Sequence, residues 1–363
     1  MLLLLVIATG LPVKANRPDA SFQWHGPEPP PPGTFVVQDK VRGLLWLLNL
    51  KHSSVIKVQL PFNGGNHESA LTADGRYLAT GHYETLPPGG KALSGIPGDE
   101  VSLVNLKSAS AQVYPTVASP KPGSKSHGVL WLPDGRLAVT AELANSVVIY
   151  PAPGQPGSAE VFELAGTGCR TPHMLRQVPG SALALVSCRA TNPGDRTTTQ
   201  GYLVGIDLLR KSVRSLASGL GAEGFVVTPQ SQVWVGNMRE NTVSIFDFEN
   251  GRLDLDALVL KRKLSVPMPM RLAYKPNTNR VGIITSGGAA GSTNFRSFDA
   301  GSHQLVASTS LASRQRGWIN PQGLAAIPGA YITGGINNQA VLLIDARTLA
   351  VRGEVLLPRC PLH

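Results

Sequence analysis

Cysteine is scarce in this sequence, with three in 363 residues, too few for a disulfide-dense scaffold. Long apolar runs are lacking too. Leu2 to Ala8 is too short to span a bilayer and no other stretch could. Nor is there a nucleophile elbow, a phosphate-binding loop, a haem-attachment CxxCH, a calcium loop, an HExxH or a CxxC pair, so the enzyme classes built on those motifs find no support. Aromatic residues make up only 6% of the chain, and none is interleaved with the basic residues in the way that base stacking needs. Lys and Arg number 33 against 23 Asp and Glu, for a net charge of +10. The excess is spread, its densest run being Lys261-Arg262-Lys263, with Arg210, Lys211 and Arg214 in another loop. That pattern reads as a solvated surface rather than a nucleic-acid groove.

What is present is a repeat. Ser126 to Leu164 contains His127 to Leu132 as a short apolar strand, Pro133, Asp134 and Gly135 as turn residues, and Arg136 to Ala141 and Ser146 to Tyr150 as further strands. After a Pro and Gly loop, Glu160 to Leu164 alternates as a more exposed fourth strand. A four-stranded antiparallel sheet cannot bury both faces alone, so copies of about 45 to 50 residues must stack, which is the pattern of a β-propeller. The copies align on the residue that opens the innermost strand: His67, His127, His173, Glu223, Met270 and Gln322. Ahead of them, Thr34 to Leu60 reads as strands two to four of a seventh blade. The expected fold is all-β, a seven-bladed β-propeller of four-stranded antiparallel blades, the first incomplete unless Ser21 to His25 supplies its missing strand.

The expected organisation is a signal peptide over residues 1–15, a Pro-rich linker over 16–33, the propeller over 34–358 and a C-terminal tail over 359–363. Val13-Lys14-Ala15 suits signal-peptide cleavage, although a charged segment before the apolar run is missing. Trp24 and His25 read as a docking contact onto the propeller or as part of the missing strand. Cys169 precedes the first strand of its blade and Cys188 ends the second. A hairpin turning near Pro179 and Gly180 brings the two to one edge, so a Cys169–Cys188 disulfide and an oxidising compartment are expected. Cys360 remains as a free thiol.

The stretches HGVLWLPDGRLAVTAELANSVVIY, AEGFVVTPQSQVWVGNMRENTVSIFDF and PMRLAYKPNTNRVGIIT resemble the YVTN-type, or YncE-like, seven-bladed propellers, relatives of the lactonase-like and cytochrome d1-like propellers. The resemblance covers about residues 34 to 358 and implies a periplasmic or extracellular repeat protein, while saying little about activity. Insertions at Thr85 to Asp99, Ala190 to Gln200 and Gly287 to Thr293 depart from the family pattern and are expected to rim one mouth of the channel.

Chemistry is expected at that mouth, where the ligand-binding candidates are His67, His127, His173, Glu223, Met270, Arg271 and Gln322. Turning at Asp74-Gly75 sets His67 opposite His82, and turning at Asp134-Gly135 sets His127 opposite Glu142. Two readings stand. In one, the histidines line the channel and bond to backbone and water, Arg170, Arg176, Arg189 and Arg271 add positive charge, and a monomeric binding or scaffold propeller presents the mouth to a small anionic ligand or a protein partner. In the other, His67, His127 and His173 hold a divalent metal, and a lactonase-type hydrolase draws its catalytic residues from Glu68, His82, Glu84 and Glu142. Asn145, Asn237, Asn241 and Asn337 read as turn residues. Arg271 reads also as a salt-bridge partner of Glu223.

Overall fold

The structure of the protein is a computed structural model that describes residues 2–8, 20–21, 24–26, 34–39, 43–50, 52–62, 64–85, 96–98, 100–114, 125–189, 200–286, 293–315, 317–318, 321–335 and 339–357. Seven antiparallel sheets follow one another along the chain in the strand order of a seven-bladed β-propeller. The middle strands are near-continuous apolar runs, as in Leu183–Cys188 and Ser146–Tyr150, every residue of which is buried. Fourth strands such as Glu160–Glu163 and Leu305–Ser310 are largely exposed. A strand covered on both faces needs an unbroken apolar run, whereas an edge strand does not. Among the described residues, no helix is long and apolar enough to cross a membrane.

The chain forms two compact units, residues 1–131 with 309–363, and residues 132–308. The first unit holds blade 1 (Thr34–Asp39, Leu44–Asn49, Ser54–Gln59), blade 2 (Asn66–Leu71, Tyr77–His82, Val101–Asn105, Ser110–Val113), blade 7 (Pro321–Ile327, Ala330–Gly335, Ala340–Asp345, Val351–Leu356) and Ser126–Trp131, which opens blade 3. Its core joins Phe35, Trp46 and Leu48 of blade 1 to Ile332, Leu343 and Val355 of blade 7. On the other side of blade 1, Leu45 and Leu47 pack with Leu78 and Val104 of blade 2.

The inner strand of blade 1 is Leu2–Ala8, paired antiparallel with Thr34–Asp39. It is not Ser21 to His25. Ala20–Ser21 pairs instead with the outer strand Ser54–Gln59, and Trp24–His25 adds to the outer edge of blade 7 on Val351–Leu356. Trp24 explains that choice: its indole packs on the blade 7 core over Gly353, where a Cβ would clash with the ring. Residues 9–19, 27–33 and 358–363, which include most of the expected linker, the tail and Cys360, lie outside the described residues.

The second unit holds the remaining strands of blade 3 (Leu137–Ala141, Ser146–Tyr150, Glu160–Glu163), blade 4 (Pro172–Gln177, Leu183–Cys188, Gln200–Asp207, Ser212–Leu220), blade 5 (Ala222–Val227, Val233–Asn237, Thr242–Phe248, Leu258–Ser265) and blade 6 (Pro269–Lys275, Arg280–Thr285, Asn294–Asp299, Leu305–Ser310). Leu185, Leu203, Phe225 and Phe246 fill the core between blades 4 and 5, and Trp234, Ile245, Ile283 and Phe298 that between blades 5 and 6.

One turn recurs. Asn49, Asn105, Asp207, Asp299 and Asp345 each end a third strand, and each side-chain oxygen accepts backbone N–H groups two or three residues on, at 2.7–3.3 Å. These are Asx turns, which satisfy the backbone where the ladder stops. In blade 6 the Ser302 N–H, followed by the Ser302 hydroxyl, holds the Asp299 carboxyl below the usual Asp value. Burial pushes the neighbouring His303 imidazole down from its usual value near 6.5, its ring standing edge-on to Trp234 at 5.3 Å. Both groups have folded values below their unfolded ones. Each therefore contributes stability that is complete above its unfolded value and lost as pH falls through its folded value. Urea midpoints should fall on acidification below about pH 6.5, and His303→Gln should flatten the upper part of that fall.

The first strands carry a second recurrent feature, absent from the expected register. In blades 2, 4, 5, 6 and 7 the pairing of first and second strands slips by one residue near the strand opening, between Asn66 and Ser69, Pro172 and Leu175, Ala222 and Phe225, Pro269 and Arg271, and Pro321 and Gly323. Each slip is a β-bulge, and His67, His173, Glu223, Met270 and Gln322 all sit on one. The expected pairing of His67 with His82 is corrected by it. Leu71 pairs with Leu78, as a turn at Asp74-Gly75 requires, but after the bulge His82 faces Asn66. The bulge in blade 4 leaves the Met174 N–H off the ladder, and the Ser187 hydroxyl accepts it at 3.2 Å.

Candidate functional site

In the first unit, the bulge sets His67 and Glu68 together opposite the single residue Gly81. Consecutive strand residues ordinarily point to opposite faces, whereas here the His67 Nδ1 lies 3.6 Å from the Glu68 Oε1. Thr80 fixes the backbone by donating its hydroxyl to the Glu68 carbonyl at 3.1 Å. Gly81 lets the opening strand of blade 3 come close, since a Cβ there would stand 2.7 Å from the Ser126 carbonyl oxygen. That strand delivers His127, whose ring lies 4.0 Å from that of His67. Tyr83 flanks both imidazoles at 5.3 and 5.2 Å, and the Lys125 ammonium sits 4.6 Å above the tyrosine ring. His67 and His127 are buried.

His82, Glu84 and Glu142, the other residues proposed for catalysis, lie at strand ends or in the turn beyond one. His82 lies flat on Phe62, with ring centroids 4.0 Å apart and planes within 3°. Glu84 is buried and starts the short strand Glu84–Thr85, which pairs with Ile96–Pro97 inside the first insertion. Glu142 is buried in the turn after Leu137–Ala141, in the second unit. Most of the two other insertions, residues 190–199 and 287–292, and Asn337 lie outside the described residues.

In the second unit the centre is Glu223. Arg189 clasps its carboxylate with one hydrogen bond, Nη2 to Oε1, and an ion-pair contact, Nε to Oε2, both 2.7 Å. Arg271 adds an Nη1 contact to Oε1 at 3.4 Å, and the same nitrogen lies 3.6 Å from the Met174 sulfur. His173 completes the group, its Nε2 accepting an Arg189 N–H and its Nδ1 standing 3.4 Å from the Glu223 carbonyl oxygen. This arrangement fits a neutral imidazole with its proton on Nδ1, and it aims the Nε2 lone pair at a guanidinium. Hydroxyls from second strands hold both opening residues: Thr140 donates to the His173 carbonyl at 2.9 Å and Ser187 to the Glu223 carbonyl at 2.7 Å.

Arg189 is also held from behind. Cys188 is joined to Cys169 with the Cα atoms 5.3 Å apart, Cys188 pairs with Pro172, and the Arg189 N–H bonds the Thr171 carbonyl at 3.2 Å. Arg170 follows Cys169 and is exposed. Side-chain exposure is 5% for Arg271 and 8% for Glu223 but 23% for Arg189, so Arg189 is the member that reaches solvent. Arg176 turns to its neighbour's carbonyl, Leu175 O, at 2.8 Å. Met270 is half-buried on its bulge, and Gln322 occupies the corresponding position in blade 7. Asn145 and Asn241 serve the backbone, Asn145 bonding the Cys169 carbonyl at 2.7 Å and Asn241 accepting the Met268 N–H at 2.9 Å, whereas Asn237 ties the side-chain hydroxyls of Ser218, Thr242 and Ser244 together. Sequence reasoning missed Tyr83 and the Thr140 and Ser187 hydroxyls, because their roles depend on contacts remote in sequence.

No family model and no curated protein matches the chain in sequence. Solved structures do match. A catalytically inactive virginiamycin B lyase from Staphylococcus aureus, with quinupristin, is 12% identical over 99% of both chains with a TM-score of 0.62. The hydrazine synthase of Kuenenia stuttgartiensis is 15% identical over 93% of this chain and 99% of that one, TM-score 0.64. The dihydro-heme d1 dehydrogenase NirN is 14% identical over 89% of this chain and 64% of that one, TM-score 0.57. At these identities the likeness is one of fold, and the fold that the chain shares with them is the seven-bladed β-propeller.

Proposed function

We propose that the protein is a binding propeller of the YVTN-like kind, working outside the cytoplasm, that takes a small anion at the Glu223 cluster. The observation that carries the reading is the clasp of one carboxylate by Arg189 and Arg271, with Arg189 the member that reaches solvent. Two guanidinium cations around a single carboxylate make the group net positive. A low-dielectric surround strengthens the pull of such a group on a carboxylate or phosphate. The disulfide beside Arg189 supports an oxidising compartment and stiffens the strand end that carries the guanidinium, which lowers the ordering cost of binding.

The test is thermal unfolding at constant ionic strength with inorganic phosphate, acetate and citrate. One of these anions should raise Tm saturably, by mass action on the folded state, and Arg189→Ala should lose the rise relative to its own anion-free baseline. If no anion raises Tm, or if Arg189→Ala responds as the wild type does, the reading is overturned. The alternative, a metal-assisted lactonase-type hydrolase, would be favoured by turnover of lactones or esters that a chelator abolishes.

A further inference from the structure

We propose a separate metal site in the first unit, formed by His67, Glu68 and His127 and suited to a borderline divalent ion, zinc above all. The inference does not rest on the anion reading; it rests on the bulge in blade 2. On a regular strand His67 and Glu68 would point to opposite faces and could not share an ion. The bulge opposes both to Gly81 and turns them to the same side. Gly81 admits the neighbouring strand closely enough for His127 to complete the set. One donor atom from each of the three residues then lies within 4.8 Å of the others.

The geometry is near to what zinc needs. Donors about 2.1 Å from a tetrahedral ion stand about 3.4 Å from one another, and the His67 Nδ1 to Glu68 Oε1 separation is already 3.6 Å. Two neutral imidazoles and one carboxylate are a donor set for zinc or copper rather than for calcium or magnesium, which prefer oxygen. Three protein ligands leave a fourth position for water or a ligand atom. Tyr83, packed against both imidazoles, limits their ring rotation and so supports the donors from behind. His82 is not a member, being stacked on Phe62.

The experiment strips the full chain with a chelator, adds zinc, removes the excess by dialysis, and counts bound metal by inductively coupled plasma mass spectrometry. About one zinc per chain is expected for the wild type. His127→Ala and Glu68→Ala should fall to roughly a tenth of that or less, with far-ultraviolet circular dichroism unchanged. Glu68→His, which exchanges the carboxylate for a third imidazole, should keep the metal. A purely structural role for Glu68 would produce no such rescue. Wild-type protein that retains no zinc, or folded Ala variants that retain as much as the wild type, would overturn the site.

Discussion

Glu223→Ala is expected to lower the free energy of unfolding by about 3–5 kcal/mol, the usual cost of deleting one partner of a buried ion pair. The deletion would leave the Arg271 guanidinium, at 5% exposure, without the carboxylate it faces. Arg189, at 23%, recovers part of its loss through water, so the lower half of that range is the better figure. Urea denaturation with the slope held common measures it. A double-mutant cycle separates the pair from mere truncation: Arg271→Met alone should destabilise, and Arg271→Met in the Glu223→Ala background should cost much less or even restore stability. Equal costs in the two backgrounds would show that the two residues are not coupled. Glu223→Gln, which keeps an acceptor for Arg189 but removes the charge, should fall between wild type and Ala.

Removing the Cys169–Cys188 bridge ranks second. The two cysteines are 19 residues apart, and the loop-entropy relation puts closure of such a loop at about 3 kcal/mol. Cys169→Ala with Cys188→Ala should therefore lose about 2–4 kcal/mol, and adding a reductant to the wild type should shift the urea midpoint in the same direction while leaving the double variant unmoved. A reductant that acts throughout the unfolding transition, where the buried sulfurs become accessible, and still leaves the wild-type midpoint unmoved would place the thiols apart in solution. Anion binding adds a second readout. Because Arg189 follows Cys188 directly, the double variant should bind its anion more weakly even at temperatures where it is fully folded.

Much of the fold is legible in the residues. The Asp-Gly and Pro-Gly turns, the spacing of apolar runs and the opening column define a four-strand unit and its repetition, and the unit is what the structure contains. Turn chemistry is local, so a single sequence displays it. Register near the strand openings is not legible, because a bulge of this kind leaves no required residue type behind: the bulged pairs are His67-Glu68, His173-Met174 and Glu223-Gly224. The first blade shows the same limit. Leu2–Ala8 has the composition of a secretory apolar run and equally that of a strand covered on both faces, and only its ladder with Thr34–Asp39 shows it as the inner strand. The Glu223 cluster was half legible. The Arg271 partnership follows from one blade adjoining the next, while the fork from Arg189 depends on a side chain that leaves the end of a second strand and reaches the next blade.

The bulged openings give the protein an unusual freedom to change. A residue within a regular ladder is judged by its cross-strand neighbour, so its identity is tied to the stability of the sheet. A residue displaced by a bulge is released from that pairing while its backbone stays anchored on both sides. The same backbone socket accordingly carries His, Glu, Met and Gln in different blades. An ancestral duplication could have diversified these positions one at a time without passing through misfolded intermediates, and a protein engineer could rewrite them as a set, installing a chosen chemistry on an unchanged scaffold.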